Sequence, residues 1–518
     1  MSTLNQSLLN DTAFWEGKGA LLPKYDRVNL PVTAICFSMG RMGFGHFADI
    51  MQDLLECGAA SGVIAGTETF SRAYYDSLKA SDMLVTQIIY GNKKGQATPK
   101  IQGAITRALF LESTTESDDW QELLAYARDP RVQFATINAP EIVYGMTYSG
   151  GEFATPTAPK VLADMENGTY TSDPGKWARF LLERFNAGLK FSMVSCTNFS
   201  KNGFFTGAVL RTMARAWEEK GFAPKGFLAY LSDPAQVGFP NTMIDRIAVS
   251  PDDVVKARMA EMNLESSVVV TEENRYWAIE DVFPGGRPAF DRAKGVFMCP
   301  NFADVKKYED MKLRILNMSH TTFASLGVLL GNRGAYGIYK CMQDKKLVEI
   351  ITAIMDIVRG VIERPAAIDP ADFIADTFDR LNNPNIPDDP MRIALNASTK
   401  IMPRLMETYW EARERGVCPC KLSVILKPVA GFLRYCAGVD DAGVEYQLED
   451  DPIRDTLIAC GNAAKAGARA EDAFRPLLSS AAVFGRNLFE EKDVLDELCA
   501  LTDAMFKGPG AVRAAIDA

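Results

Sequence analysis

Short apolar runs alternate with segments of helical periodicity over roughly the first 300 residues of the chain. The runs that we predict as strands cover residues 32–37, 62–65, 132–137, 190–196, 227–231 and 268–271. Between the first two, residues 47–56 have the pattern of an amphipathic helix, and Gly58 follows as a typical C-terminal cap. Because strands that alternate with helices indicate βαβ units, the pattern predicts a parallel sheet.

The pattern changes near Pro300. Long stretches with the helical period cover residues 303–330, 336–363, 371–381 and 393–415, and strand-like runs almost vanish. We therefore predict an α/β domain with a parallel-rich sheet over residues 1–300, followed by an all-α domain over residues 301–518. Late in the first domain, the run at 268–271 and the aromatic, glycine-rich stretch after it predict a β-hairpin.

Charge and hydropathy exclude two classes of function. The 518 residues include 56 Lys and Arg against 66 Asp and Glu, a formal net charge of −10, whereas nucleic-acid binding needs a basic surface. The amino-terminal segment is polar and lacks a long apolar core, and the longest apolar stretch, from Leu347, is interrupted by charged residues. We expect a cytoplasmic protein with no nucleic-acid or membrane partner.

Histidine and cysteine usage argues against a metal site. His46 and His320 are the only histidines, which excludes a zinc site built from several imidazoles. The ten cysteines have no framework spacing, so we expect reduced, buried thiols. Cys418 and Cys420 form a C-P-C with no second pair nearby, which favours ordinary packing over metal binding.

A glycine-containing turn joins the first predicted strand to the first helix. Its residues are Ser38, Met39, Gly40, Arg41, Met42 and Gly43. Backbone N–H groups in such a turn can face a pyrophosphate, although any α/β protein can carry a tight turn here. Glu68 follows the second strand, where a carboxylate can accept the ribose hydroxyls of NAD and repel the extra phosphate of NADP. The alternative for Glu68 is a solvated loop carboxylate.

The segment 308–320 carries the most informative polar pattern. At about 100° per residue, Glu309, His320 and Asn317 lie about 60°, 80° and 140° from Lys312, while apolar residues supply much of the opposite side. Lysine can act as a general base where burial lowers its pKa, an amide can stabilise a developing alkoxide, and histidine can orient a hydroxyl. The alternative is a solvated helix face with an ion pair between Glu309 and Lys312.

This segment reads K-L-R-x-L-N-x-S-H and resembles the signature of the polyol-specific long-chain dehydrogenases, which include mannitol 2-dehydrogenase and the fructuronate and tagaturonate reductases. The stretch S-C-T-N-F-S-K-N-G from Ser195 resembles that family's S-C-D-N-x-x-x-N-G. F-P-N-T-M-I-D-R-I from Phe239 resembles F-P-x-x-M-V-D-R-I, and R-I-A-L-N-A-S-T-K from Arg392 resembles R-x-x-x-D-G-S-x-K. The matches occur in the family's order and span residues 30–420.

The resemblance implies an N-terminal Rossmann-type domain that binds NAD in preference to NADP, a helical domain that binds substrate, and no metal. Lys312 would be the acid/base, and Asn317 and Asn198 would stabilise the developing alkoxide. His320 would hold a neighbouring hydroxyl, and Glu309 would assist proton exchange with solvent. The residues implied to line the substrate pocket are Asp245, Arg392, Lys400 and Asn202.

Some positions depart from the family's pattern. Its T-E-K-G-Y is replaced by N-A-P-E-I-V-Y-G, in which Glu141 remains as a cofactor-binding candidate. The family's glycine turn, usually G-x-G-x-F, is altered here to S-M-G-R-M, in which Arg41 could pair with a cofactor phosphate or lie in solvent. Without the resemblance, Asn198 and Asn202 could be ordinary turn residues. Asp245 and Arg246 could likewise be a surface ion pair of little energetic value.

We predict a metal-independent, NAD-dependent oxidoreductase similar to mannitol 2-dehydrogenase, which transfers hydride between nicotinamide and the secondary alcohol or ketone of a polyol. The second hypothesis is a hexuronate reductase acting on fructuronate or tagaturonate, with Arg392 or Lys400 holding the acid group. The third is a non-catalytic nucleotide-binding homologue, which the altered glycine turn favours and the intact Lys312, Asn317 and His320 oppose. We expect a monomer or a homodimer that acts on a small molecule.

Overall fold

The structure is a computed structural model that describes residues 1–91, 93, 95–112 and 117–518. The chain folds into two compact units, one of residues 1–91 and 97–306 and one that contains residues 307–518. In this described part of the chain, no helix combines the length and the apolar character that a membrane crossing requires.

All strands of the described residues lie in the first unit. They are β1 (Ser2–Thr3), β2 (Val32–Phe37), β3 (Val63–Glu68), β4 (Val85–Tyr90), β5 (Ala97–Gln102), β6 (Ile105–Phe110), β7 (Phe134–Ile137), β8 (Met146–Thr147), β9 (Thr155–Pro156), β10 (Phe191–Ser195), β11 (Val237–Gly238), β12 (Thr242–Asp245), β13 (Ala248–Val249), β14 (Leu264–Glu265), β15 (Val268–Glu272), β16 (Tyr276–Glu280) and β17 (Val296–Cys299).

The α-helices of this unit lie between the strands. They are α1 (Gln6–Leu9), α2 (Thr12–Trp15), α3 (Asp49–Glu56), α4 (Arg72–Ala80), α5 (Asp118–Arg128), α6 (Pro159–Asn167), α7 (Asp173–Asn186), α8 (Asn202–Glu219), α9 (Phe227–Ser232) and α10 (Asp253–Glu261). A π turn over Gly43–Ala48 precedes α3 directly.

The central sheet of the first unit is six-stranded and entirely parallel, in the order β6-β3-β2-β7-β10-β11. The central strands are buried along almost their whole length, which explains their continuous apolar sequences. The order reverses at β2, which pairs with β3 on one side and β7 on the other. Ligands bind beyond the carboxyl ends of the strands at such a reversal. The predicted α/β fold with a parallel sheet is therefore confirmed.

A second, four-stranded sheet has the order β13-β15-β4-β5, and β12, β16 and β17 form a three-stranded sheet. These sheets disagree with the predicted hairpin, because β15 pairs with β4 and β13 while β16 pairs with β12 and β17. The local apolar pattern predicts strands here but carries no information about which strand is the partner.

The predicted strand at 227–231 is also wrong, because these residues form the helix α9. Gly226 begins this helix at a φ of +100°, and its carbonyl accepts the N–H of Tyr230 at 2.9 Å. An apolar run of this length is too short for its periodicity to distinguish a buried strand from a helix.

In the described residues, the second unit is helical throughout. A helix that begins as α11 (Phe302–Lys312) leads into it, and the further helices are α12 (Met318–Thr322), α13 (Gly337–Met342), α14 (Lys345–Val361), α15 (Pro370–Leu381), α16 (Pro390–Ala394), α17 (Ser398–Ile401), α18 (Glu407–Glu414), α19 (Pro419–Tyr435), α20 (Arg454–Lys465), α21 (Ala470–Ala473), α22 (Arg475–Leu478), α23 (Ala481–Phe484), α24 (Lys492–Met505) and α25 (Ala511–Asp517). Three π turns interrupt these helices: Leu313–Asn317 and Phe323–Gly327 on either side of α12, and Met402–Met406 between α17 and α18.

The prediction of reduced, buried cysteines is confirmed only in part. Eight are free thiols and all of these except Cys57 are buried. Cys418 and Cys420, which we expected to pack as reduced side chains, are instead exposed and form a disulfide at the start of α19. A disulfide between residues two positions apart closes a very small loop and constrains little of the fold.

Candidate active site

The turn after β2 places the predicted cofactor-binding residues 38–43 at the carboxyl edge of the parallel sheet. Ser38 adopts a φ of +64°, a conformation that usually requires glycine. Met39 is buried, and its N–H donates to the carbonyl of Thr67 at 3.0 Å, which ties the turn to β3. A Cβ added to Gly40 would meet no atom within 4 Å, so open space adjoins this backbone. Because the first N–H groups of a helix lack intrahelical partners, the turn can receive an anionic group.

The remaining residues of the turn are fixed by packing and by one side-chain hydrogen bond. A Cβ on Gly43 would approach Cys36 Sγ to 3.1 Å, so glycine allows the helix to pass close to β2. Arg41 is exposed, and its guanidinium donates to Ser250 Oγ at 2.8 Å. The predicted pairing of Arg41 with a cofactor phosphate therefore competes with a bond inside the first unit.

Glu68 ends β3 as a buried carboxylate in a fixed orientation. Its Oε1 accepts the backbone N–H groups of Thr69, Phe70 and Ser71 at 2.9, 2.7 and 3.2 Å. Since these three bonds all go to Oε1, the second oxygen is the one that can accept the hydroxyls of a ribose. Glu68 is thus not the solvated loop carboxylate of the alternative interpretation.

The loops after β7 and β10 are joined by the buried hydroxyl of Tyr144. It lies 2.9 Å from Ser195 Oγ and 3.0 Å from Thr197 Oγ1. Glu141 begins the 3₁₀ turn that ends at Tyr144, and its side chain is exposed. Asn198 follows Thr197 directly and is also exposed. Both predicted residues therefore lie on loops at the carboxyl edge of the sheet.

Asn202 uses its whole amide within the first unit. Its Nδ2 donates to the carbonyls of Thr197 and Thr242 at 2.9 and 3.0 Å, and its Oδ1 accepts the N–H of Thr242 at 2.8 Å. The side chain is buried and connects the start of α8 to β12. These bonds hold the Asn202 side chain in place, and its predicted contact with substrate stays a prediction.

Asp245 ends β12 and is buried. The contacts of its neighbour Arg246 show that one of our interpretations was wrong. We considered Arg246 part of a surface ion pair, but its side chain is only 1% exposed, and its Nη1 donates to Asp49 Oδ2 at 2.7 Å. Asp49 is the first residue of α3, so this bond anchors the segment that carries Asp245 to the helix that follows the glycine turn.

In the second unit, a π turn gathers the polar residues of the lysine helix. Glu309, Lys312, Asn317 and His320 are all buried. The π turn Leu313–Asn317 inserts one residue after Lys312, so Asn317 has the angular relation to Lys312 that a residue four positions away has in an α-helix. Measured from Lys312, Asn317 moves from about 140° to about 40°, and His320 from about 80° to about −20°. The polar face is therefore narrower than the sequence predicts.

His320 is connected to Arg392 through Asp388, a residue that our sequence reasoning missed. His320 Nδ1 lies 3.1 Å from the carbonyl of Leu316, and its Nε2 lies 3.5 Å from Asp388 Oδ2. Asp388 Oδ1 accepts from Arg392 Nη2 at 2.7 Å. Burial opposes the ionisation of Asp388, but His320 and Arg392 together hold its pKa below the usual value. The charge of Arg392 is thus already balanced by a carboxylate.

The hydrogen bonds of the Lys400 ammonium group go to backbone carbonyls and not to a carboxylate. Its Nζ donates to the carbonyl of Ile393 at 2.8 Å and to that of Leu395. Burial, together with the positive charges of Arg404 and Arg392, lowers the pKa of Lys400 to about 7, although Asp451 opposes this shift. A small cavity borders the side chain of Lys400.

Arg404, which our sequence reasoning also missed, lies one turn further along the same helix. Its Nη1 donates to Thr321 Oγ1 at 3.0 Å and to the carbonyl of Asn317 at 3.4 Å, both neutral acceptors. Burial lowers its pKa to about 10, and no carboxylate of the described residues offsets that shift. Its position four residues after Lys400 is the signal that could have identified it, because such residues share a helix face.

A parallel sheet with this strand order and a turn open to an anionic group after its first central strand are typical of dinucleotide-binding domains. The family model of the mannitol dehydrogenase Rossmann domain matches residues 33–292, and that of the mannitol dehydrogenase C-terminal domain matches residues 304–506. The chain therefore belongs to the mannitol dehydrogenase family of oxidoreductases, as the sequence motifs predicted.

Similar proteins span nearly the whole chain. A D-mannonate oxidoreductase of Thermotoga maritima is 30% identical over 542 residues, which cover 99% of this chain and 98% of that protein. A mannitol 2-dehydrogenase of Aspergillus oryzae is 29% identical over 445 residues, covering 84% and 82%.

Two solved structures have the same fold. A D-sorbitol dehydrogenase in substrate-free form has a TM-score of 0.81 at 22% identity, covering 99% of this chain and 100% of that chain. The Pseudomonas fluorescens mannitol 2-dehydrogenase, in a ternary complex with NAD and D-mannitol, has a TM-score of 0.79 at 23% identity, covering 100% and 99%.

Proposed function

We propose that this chain is an NAD-dependent oxidoreductase that interconverts a secondary alcohol and a ketone on a polyhydroxylated substrate. The observation that carries the proposal is the buried face of Lys312, Asn317 and His320, which the π turn narrows. An amine, an amide and an imidazole on one face are the groups that proton transfer and alkoxide stabilisation require. Family membership supports the same reaction class.

The first unit has the groups that a dinucleotide needs. The open backbone at Gly40 and the start of the following helix would hold the pyrophosphate, and Glu68 would hold the adenosine ribose. Glu141, at the edge nearer β7, would contact the other half of the cofactor. When bound, NAD supplies the hydride acceptor and NADH the hydride donor.

The second unit would move the proton. During oxidation Lys312 accepts the proton of the reacting hydroxyl, and during reduction it returns a proton to the ketone oxygen. Asn317 would donate an amide N–H group to the oxygen as negative charge develops on it. The same role for Asn198 stays a prediction from the family resemblance. Glu309 lies one helical turn before Lys312 and would pass the proton to solvent, and His320 would hold a neighbouring hydroxyl. We propose no metal ion, because Lys312 serves as the proton acceptor.

Lys400 and Arg404 favour a sugar acid as the substrate. In the described residues, the side-chain hydrogen bonds of these two partly buried cations go to neutral acceptors, and a partly buried positive charge gains from a carboxylate partner. A substrate carboxylate would supply the missing charge, whereas Arg392 is already paired with Asp388. The similarity to a D-mannonate oxidoreductase supports this class. A neutral polyol is the second candidate, favoured by the similarity to a mannitol 2-dehydrogenase.

Absorbance of reduced nicotinamide at saturating cofactor tests the proposal. We expect kcat/KM for ketonic hexuronates, or for hexonates in the oxidative direction, to exceed that for neutral ketoses and polyols about 100-fold, the worth of a good charge-assisted contact. Preference for the neutral compounds would establish the second candidate. A protein that binds NADH yet turns over no member of either series would instead be a non-catalytic homologue.

Lys400 gives this substrate preference a pH dependence. With a pKa of about 7, its ammonium is present below pH 7 and is lost as the pH rises through that value. We therefore expect kcat/KM for an acid substrate to fall about tenfold between pH 7 and pH 9, on the scale of a lost charge-assisted contact. Lys400→Met should remove this step. A neutral polyol assayed over the same range is the control, and the same fall with the neutral substrate would argue against the role of Lys400.

Glu68 should determine the choice between NAD and NADP. In Glu68→Gln the hydrogen-bonding shape is kept but the negative charge is removed, so we expect NADH to bind about tenfold more weakly and NADPH more tightly. Fluorescence titration with each cofactor measures both constants. Glu122→Gln, on α5, is the control. Unchanged constants for both cofactors in Glu68→Gln would remove Glu68 from the cofactor site.

A further inference from the structure

Phe70 presents an aromatic ring to solvent in the loop between β3 and α4. It is 73% exposed, more than the other exposed phenylalanines of the described residues, Phe204 at 40% and Phe222 at 45%. A single exposed apolar side chain is ordinary on a protein surface. What distinguishes Phe70 is the way in which its backbone is held.

The loop that carries Phe70 is short and fixed at both ends. The N–H of Phe70 donates to Glu68 Oε1 at 2.7 Å. Ser71, the next residue, caps α4, and its Oγ accepts the N–H of Tyr74 at 3.1 Å. The backbone of Phe70 is therefore held beside the carboxylate to which we assign the ribose, and its exposed ring extends from that fixed position.

The direction in which a dinucleotide would lie across the sheet also places its adenine base near Phe70. Pyrophosphate at the turn after β2 and ribose at the end of β3 define a direction that leads away from β7. The adenine base is joined to that ribose by one bond, so it must lie next to the residues that directly follow Glu68. Arg41, which could otherwise attract a phosphate here, is tied to Ser250.

We propose that Phe70 is the platform on which the adenine base of the cofactor stacks. This inference rests on the proposed function, because it takes the dinucleotide as the ligand of the first unit. The exposed face of an aromatic ring accepts a purine in an offset stack, and it becomes buried when the base binds. The ring would strengthen binding of the adenosine half without contacting the reacting atoms.

Binding titrations of three ligands test the proposal: NADH, ADP-ribose and reduced nicotinamide mononucleotide, which has no adenosine. Phe70→Ala should raise the Kd of NADH and of ADP-ribose at least about fivefold, the lower end of what a stacked base contributes. Phe70→Trp should keep both within about twofold. The Kd of the mononucleotide should be the same in all variants.

Phe222→Ala is the matched control, since it removes another exposed phenylalanine just after α8. Because α8 begins where β10 has ended, its far end lies at the opposite edge of the sheet, and this variant should bind all three ligands normally. Unchanged NADH affinity in Phe70→Ala would overturn the proposal, as would equal weakening of all three ligands or a change in oligomeric state. If the protein bound ADP-ribose through Phe70 but transferred no hydride, the stacking proposal would hold and the proposed function would be wrong.

Discussion

Replacing Lys312 by alanine is expected to lower kcat by about 10²- to 10⁴-fold, the range that a positioned general acid/base contributes. The residue is buried on the same face as Asn317 and His320, so its loss removes the proton acceptor without disturbing the residues proposed to hold the cofactor in the first unit. The Kd of NADH should therefore stay within about twofold. Single-turnover absorbance measurements and a fluorescence titration give the two quantities.

Lys312→Arg separates proton transfer from charge. Arginine keeps the positive charge but does not deprotonate at the pH of the assay, so this variant should be nearly as inactive as the alanine variant. Lys345→Ala, which removes an exposed lysine on α14, is the control and should be fully active. If Lys312→Arg retained more than about a tenth of the activity, Lys312 would be a charge that stabilises the oxyanion and not the acid/base.

The sequence predicted the elements whose pattern is local. The strand at 32–37 was predicted with the observed bounds, and the strand at 268–271 was predicted to within one residue. Both runs are buried and are bounded by turns, so the period and length of the apolar pattern suffice. The pairing of strands could not be predicted in this way. The partners of β15 are β4 and β13, and the sequence of β15 alone does not indicate which other strands it pairs with.

The family motif names candidate site residues, whereas their geometry comes only from the structure. The family motif identifies Lys312, Asn317 and His320, but a regular helix would spread them over about 140°. The π turn Leu313–Asn317 brings Asn317 closer to Lys312 around the helix axis, and the spacing of apolar residues gives no sign of it. Arg404 and Asp388 were missed for a related reason. Each contacts the helix of Asn317 and His320 from a segment that is distant in the sequence, and a local pattern does not reveal such a contact.

A buried ion cluster connects the glycine turn to the rest of the first unit. Asp49 stands at its centre, with Oδ1 accepting from Lys100 Nζ at 2.6 Å and Oδ2 accepting from Arg246 and Arg275 at 2.7 and 2.6 Å. Asp53, one turn along α3, shares Lys100 and Arg275. These bonds join α3 to β5, to the end of β12 and to the segment before β16. Through Arg246, the sequence motif F-P-N-T-M-I-D-R-I thus serves in part to hold α3 in place.

Asp49→Asn is expected to destabilise the first unit by about 3–5 kcal/mol at pH 7, the usual cost of removing one partner from a buried ion pair. Asparagine removes the central carboxylate from three close cations and leaves only the partly exposed Asp53 paired with Lys100 and Arg275. Urea unfolding measures the loss as a lower midpoint for the first unit. Asp53→Asn is the control, because its side chain is 36% exposed and solvent screens the change, so we expect a clearly smaller effect.

The effect of Asp49→Asn should also depend on pH in one direction. Burial alone would raise the pKa of Asp49, but Arg246, Lys100 and Arg275 together hold it far below its usual value. A lowered pKa in the folded state means that the stabilisation is present in full above about pH 4, the unfolded value, and is lost as the pH falls below it. The difference in stability between the two proteins should therefore be constant from about pH 5 to 7 and shrink in acid. A difference that stays the same below pH 4 would show that Asp49 stabilises the fold by packing and not by its charge.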